Sequence, residues 1–177
     1  MKSHSVATLW GSSAALALSP RARFAFSALA AVALGLAVLL PTLAIGYWLA
    51  GPHPAMPGAA LPWVGIATAM LHLAPLSWGL IRLRICLAQF ASGHPFAAEG
   101  IAGLRDFALG TGVSALMKPL SGLLFTLALG WQGGPKRITI DISSDVMILA
   151  LFAGVVASLA WAMERAALLA EENSQFV

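Results

Sequence analysis

The sequence predicts an all-α protein, an integral membrane four-helix bundle with a short extracytoplasmic β segment before the last helix. Two observations on composition support this fold class: 59% of the 177 residues are hydrophobic and only 10% are charged. Soluble domains carry about 25% charged residues, so this composition does not supply a water-facing surface. The third observation is that four apolar runs are each long enough to cross a bilayer, which takes about 20 residues. We therefore expect one polytopic domain over residues 1–177, with the lipid bilayer as its first partner.

The net charge of +3 does not indicate a nucleic-acid-binding surface. Basic residues stand singly or in pairs beside apolar runs, which is typical of signals that set membrane topology. We therefore expect no direct contact with nucleic acid. The single cysteine allows neither an internal disulfide nor a cysteine-rich metal site.

The N-terminal segment 1–23 is predicted to be a cytoplasmic tail that ends with Arg21 and Arg23 at the membrane edge. The first span follows at about 26–49, carries no charge and ends in an aromatic pair, as an interfacial belt would. Pro41 predicts a kink rather than a break, because the apolar run continues on both sides of it.

The second span is predicted at about 61–81, with His72 near its middle. Arg82 and Arg84 end this span on the positively charged side of the membrane. The helix is expected to continue in water as an amphipathic extension until the turn that contains Gly93.

The third span, at about 107–129, carries Lys118 and then Pro119 near its midpoint. A lysine at mid-membrane depth costs about 3 kcal/mol on insertion scales, so Lys118 should face protein or water. Small or polar residues recur at every fourth position, and this row is predicted to be the buried packing face of the helix. Its members are Asp106, Gly110, Ser114, Lys118, Gly122 and Thr126.

His72 and Lys118 are expected at similar depth on adjacent antiparallel helices. The imidazole could accept a hydrogen bond from the Lys118 ammonium, directly or through water. Alternatively, His72 bonds a carbonyl freed by Pro75 or a neighbouring hydroxyl, and we favour this structural interpretation because a lone intramembrane polar pair can be structural.

Before the last span, residues 138–142 alternate apolar and polar with β-branched side chains, which predicts a short strand over the outer mouth of the bundle. The fourth span is predicted at about 146–163, with an amphipathic tail after it. Small residues at every fourth position would let another backbone approach closely, including that of a second copy: Ala150, Gly154, Ser158 and Ala162.

Counting Lys and Arg predicts the topology. Seven lie on the side of the two termini and the middle loop, against two, Lys136 and Arg137, in the outer loops. This positive-inside bias places both termini and the middle loop in the cytoplasm. The larger cytoplasmic side is the predicted interaction face, formed by Arg84, Gly93, Pro95, Phe96, Glu99, Arg105, Glu164 and Arg165.

The middle loop carries a family resemblance. Its sequence LAQFASGHPFAAE at 87–99, followed by Leu104-Arg105, resembles a stretch of the bacterial membrane proteins catalogued as domain of unknown function 2975, and the Gly-x-Pro-Phe turn is its most specific part. Lys118-Pro119 stands where that family often has a basic residue and a proline. The resemblance implies four spanning helices and, in many members, a gene neighbour that encodes a small helix-turn-helix regulator. It implies no established activity.

One residue departs from the family pattern. Ala97 stands where the family tends to have a threonine, so only the Glu99 half of a capping box remains and this turn is expected to be looser.

No residues with catalytic or metal-ligand spacing occur in the sequence, so we expect no enzyme activity, no metal and no cofactor. The first functional hypothesis is a membrane-bound regulatory or interaction protein that holds a cytosolic partner, such as a small DNA-binding regulator. The second is a small transporter or proton-linked carrier that uses Lys118 and His72. The third is a structural subunit that forms homo-oligomers through the Ala150–Ala162 face.

Overall fold

A computed structural model describes residues 19–50, 61–94, 96–131 and 143–174. Within these ranges every regular element is a helix, which confirms the predicted all-α class with four helices. Their bounds are Pro20–Ala50 for α1, Leu61–Ala91 for α2, Ala98–Trp131 for α3 and Ser144–Ser174 for α4. The strand predicted at 138–142 lies outside the described residues.

Each helix contains a segment long and apolar enough to cross a membrane. By length and composition, these are the helices of a multi-pass membrane protein. α2 and α4 continue past the predicted spans to Ala91 and Ser174, as expected of their amphipathic extensions. α1 begins inside the predicted tail 1–23, and α3 begins nine residues before residue 107. The three prolines inside helices interrupt none of them.

The four helices form an open row in chain order. α2 lies between α1 and α3, and α3 lies between α2 and α4. Within the described ranges, the backbones of α1 and α4 do not approach each other. The closest packing is therefore in the central pair, α2 and α3.

Glycines bring α2 and α3 into backbone contact. A Cβ atom added at Gly110 would lie 2.5 Å from the carbonyl oxygen of Pro75 and 2.9 Å from Cα of Gly79. At Gly103 it would lie 2.7 Å from the carbonyl oxygen of Arg82. Only residues without a side chain permit this approach, as in other tightly packed membrane helices.

The buried row on α3 differs from the predicted row of four-residue steps. Gly110 and Ser114 are buried as expected, but Gly122 is exposed, and a Cβ added there would meet nothing within 4 Å. Four residues turn an α-helix by about 400°, so a strict four-residue row drifts by about 40° at each step and leaves the interface. Steps of three and four stay on it, and the observed buried row is Gly100, Gly103, Phe107, Gly110, Ser114 and Ser121.

The turn between α2 and α3 is a Schellman motif followed directly by a new helix. Gly93 has φ 86°. Its N–H donates to the carbonyl of Phe90 (3.1 Å), and the N–H of His94 donates to the carbonyl of Gln89 (3.0 Å). The Gln89 side chain also donates to the Glu99 carboxylate (3.1 Å), so Glu99 links the two helices across the turn.

Aromatic contacts place α1 against this hairpin at both ends. Near the turn, the Phe26 and Phe90 rings are 5.5 Å apart, which puts the start of α1 beside the end of α2. At the opposite end, Trp48 lies across Gly65 of α2 and contacts Phe125 of α3, with the ring centroids 5.3 Å apart. α1 thus contacts α3 by a side chain that crosses over α2.

Candidate functional site

A groove of about 690 Å³ separates the start of α3 from the C-terminal half of α4. We call it the α3–α4 groove. Its α3 side is lined by Phe96, Ala98, Ile101, Ala102 and Arg105. Its α4 side is lined mainly by Ala157, Ala160, Trp161, Glu164, Ala167 and Leu168.

The groove forms because side-chain size changes along the α3–α4 interface. Farther from the turn, Phe107 and Ala108 pack against Val156, and the rings of Phe107 and Phe152 are 6.1 Å apart. Toward the turn, half of the lining side chains are alanines, with some on each wall, and these are too short to fill the space between two helices. The interface is thus filled near its centre and open at its end.

Two opposite charges and an aromatic ring stand at the groove. Arg105 belongs to the α3 wall and Glu164 to the α4 wall, and neither forms an ion pair with a residue in the described ranges. Trp161 is exposed, and the Arg165 guanidinium lies 5.6 Å from the centre of its ring. The groove therefore offers apolar surface together with one cation and one anion that have no ion-pair partner among the described residues.

The structure brings together part of the predicted interaction face. Phe96, Arg105 and Glu164 line the groove, and Arg165 adjoins it through Trp161. The others lie elsewhere. Gly93 shapes the turn, Glu99 binds Gln89, Arg84 is exposed on α2, and Pro95 is outside the described residues.

A second polar cluster contains the lysine of α3. The Lys118 ammonium donates a hydrogen bond to the Asp145 carboxylate in the first turn of α4. His72 Nδ1 lies 3.4 Å from Ser121 Oγ, and that hydroxyl donates to the Lys118 carbonyl (2.7 Å). Of the alternatives predicted for His72, the structure shows the contact with a neighbouring hydroxyl, that of Ser121. The Lys118 ammonium does not bind His72, because its partner is Asp145.

Sequence reasoning missed a third polar contact. Arg82 Nε lies 3.1 Å from Asp106 Oδ2, and the Arg82 guanidinium lies 5.7 Å from the centre of the Trp78 ring. A signal for this contact was present, because Arg82 and Asp106 stand twelve residues before and after His94 in the turn. An antiparallel hairpin places such symmetric positions side by side.

The small-residue face of α4 points away from α3. Gly154 and Ser158 are exposed, and the Ser158 hydroxyl donates to the Gly154 carbonyl (2.9 Å). The residues that α4 buries are instead Val146, Ala153, Val156 and Ala160. Use of the Gly154 and Ser158 face in a homo-oligomer stays a prediction.

In the ranges that the structure describes, no group of three or more His, Cys, Asp or Glu side chains could hold a metal ion. The chain matches no protein-family model, no curated protein and no solved structure. The resemblance to domain of unknown function 2975 therefore stays a prediction that depends on the middle-loop residues.

Proposed function

We propose that this protein is a multi-pass protein of the bacterial inner membrane that binds a cytosolic protein, such as a small helix-turn-helix regulator, through the α3–α4 groove. The observation that carries the proposal is that Phe96 and Arg105 line one groove with Glu164, which is distant from them in sequence, beside an exposed Trp161.

The charge distribution supports a cytosolic groove. The end of the row that holds the groove also holds the start of α1 and the turn between α2 and α3. Most of the arginines lie toward this end, which is the signature of the cytoplasmic side: Arg21, Arg23, Arg82, Arg84, Arg105 and Arg165.

Exposed apolar side chains at this end support a protein partner. Phe96 is 56% exposed and Leu168 is 49% exposed. Both stand beyond the arginines that mark the membrane edge, so lipid does not cover them in the proposed orientation. Contiguous apolar surface in water is typical of protein-interaction sites.

Co-purification in gentle detergent from the native host tests this proposal. Ala157→Trp puts a bulky ring into one end of the groove, whereas Leu159→Trp adds the same ring at an exposed position outside it. We expect a stoichiometric soluble partner with the wild type and with Leu159→Trp, and its loss with Ala157→Trp. Equal recovery with both variants would exclude the groove as the binding site.

A second candidate function, a small solute or proton carrier, is favoured by one contact. Carriers use intramembrane ionisable groups, often including a carboxylate, whereas the sequence-based hypothesis named only Lys118 and His72. Asp145 supplies a carboxylate, which pairs with Lys118, and both side chains are partly exposed.

Flux measurements in proteoliposomes test the carrier. If Lys118 and Asp145 bind the transported species, Lys118→Met and Asp145→Asn should each abolish proton or solute flux. Leu116→Met, an exposed position two residues away, should leave it unchanged. Flux that is the same in all four proteins, or absent from the wild type, contradicts the carrier.

A further inference from the structure

We propose that the occupant of the α3–α4 groove is an amphipathic helix whose apolar face is bordered by one acidic and one basic residue, one to two turns apart. This inference rests on the proposed function and specifies the chemistry of the partner. Three features of the groove support it: its length, its small side chains and the position of its two unpaired charges.

The groove has the length and lining that suit a helix. On the α4 side it extends from Ala157 to Leu168, which corresponds to about 16 Å of helix, or three turns. Ala98 and Ala102 are one turn apart on the opposite wall. The alanines on both walls leave room for a third helix, and docking of an apolar helix face into such a groove is a common mode of recognition.

The two charges can be placed relative to each other from the register of α3 and α4. Phe107 packs against Val156, so Arg105 lies near the level of Ser158, two residues farther along α4. Glu164 therefore lies about 9 Å farther along the groove, at 1.5 Å per residue. On an occupant helix, that separation corresponds to positions four to seven residues apart on one face.

The charges also determine what the occupant must carry. An apolar occupant would remove water from Arg105 and Glu164 without supplying a counter-ion, which is unfavourable. A helix with an acid opposite Arg105 and a base opposite Glu164 restores both interactions, and a like charge at either place is repelled. An acyl chain has no such groups, so the charge pair favours a peptide over lipid.

Binding of three synthetic helical peptides to the full chain in nanodiscs tests the inference. The peptides share one Leu/Ala amphipathic sequence and carry, seven residues apart beside the apolar face, Glu and Lys, two Glu, or two Lys. Seven residues keep the two charges from pairing with each other on the same helix turn. Fluorescence anisotropy of the labelled peptide reports binding, and empty nanodiscs correct for binding to lipid.

The wild type should bind the Glu–Lys peptide best, with affinity about threefold lower for each mismatched charge. Arg105→Glu should move the preference to the two-Lys peptide, and Glu164→Arg should move it to the two-Glu peptide. Ala157→Trp should remove binding of all three, whereas Leu159→Trp should not.

Two outcomes overturn the inference and differ in what they say of the proposed function. In the first outcome, Ala157→Trp abolishes capture of the native partner, but Arg105→Glu and Glu164→Arg do not change which peptide binds best. The groove then binds protein, and the proposed charge pattern of the occupant helix is wrong. In the second outcome, no peptide binds the protein more strongly than it binds empty nanodiscs, and the Ala157→Trp variant still captures the native partner. The groove is then not a protein-binding site, and both this inference and the proposed function are wrong.

Discussion

The side chains of Lys118 and Asp145 form the one polar contact between α3 and α4 in the described part of the chain. Asp145 stands in the first turn of α4, so this helix begins beside the middle of α3 rather than beside its end. The remaining contacts of α4 with α3 are apolar and permit sliding, whereas a charge pair specifies one register.

We predict that a protein in which Lys118 and Asp145 are exchanged is more stable than a protein in which either charge is removed. Lys118→Met leaves the Asp145 carboxylate without its counter-ion, and Asp145→Asn leaves the ammonium without its own, so each should lower the melting temperature in detergent. The exchanged protein, Lys118→Asp with Asp145→Lys, should recover most of this loss. An exchanged protein no more stable than the single variants would show that the pair does not fix the register of α4.

Gly110 should tolerate no side chain, while Gly122 should tolerate one. Gly110→Ala puts a methyl group 2.5 Å from the Pro75 carbonyl oxygen, so α2 and α3 must separate. We expect a loss of about 1–3 kcal/mol in the free energy of unfolding, as in other overpacked interiors. Gly122→Ala meets nothing within 4 Å and should cause no loss. Reversible unfolding in SDS measures both, and equal effects would contradict the described interface.

The contact of Trp48 with Gly65 predicts energetic coupling. A Cβ at Gly65 would lie 2.3 Å from the Trp48 indole, so Gly65→Ala must displace the ring from Phe125. In a Trp48→Ala background that cost disappears. A double-mutant cycle should therefore give a coupling energy of about 1 kcal/mol or more. Additive effects would mean that the ring does not occupy this place.

Gly93 should be replaceable by asparagine at lower cost than by alanine. With φ at 86°, its backbone lies in the left-handed region. A side chain there costs about 1–2 kcal/mol, and asparagine is the residue that best tolerates it. Gly93→Ala should lower the melting temperature and Gly93→Asn should lower it less. Identical melting temperatures for the two variants would contradict the assigned turn.

The sequence was sufficient to predict the helices and the turn between α2 and α3. Four long apolar runs define four helices, and Gly93, with Glu99 in the first turn of the next helix, marks where α2 ends and α3 begins. The register of the α2–α3 hairpin also determines the contact between Arg82 and Asp106, although the sequence analysis did not predict this contact. These features depend on local sequence and on distances counted along one hairpin.

The register of α4 and the groove could not be predicted in this way. The level at which Asp145 meets Lys118 depends on how the chain returns from Trp131, and composition does not encode that path. The groove depends on alanines at 98, 102, 157 and 160, which in sequence look like ordinary membrane-helix residues. It becomes visible only when two helices distant in sequence are placed side by side.

The open row of helices has a consequence for biogenesis. Among the described residues, every extensive helix–helix contact joins consecutive helices, and even the Trp48 bridge is complete once α3 has emerged. Each helix can therefore find its neighbour as it leaves the translocon, in the order of synthesis. A chain that stopped after Trp131 would keep the Gly79–Gly110 contact and the Trp48–Phe125 contact, and would lack the α3–α4 groove. The surface proposed to recruit the partner thus forms only after α4 has emerged, so on this proposal a chain without α4 would not bind the partner.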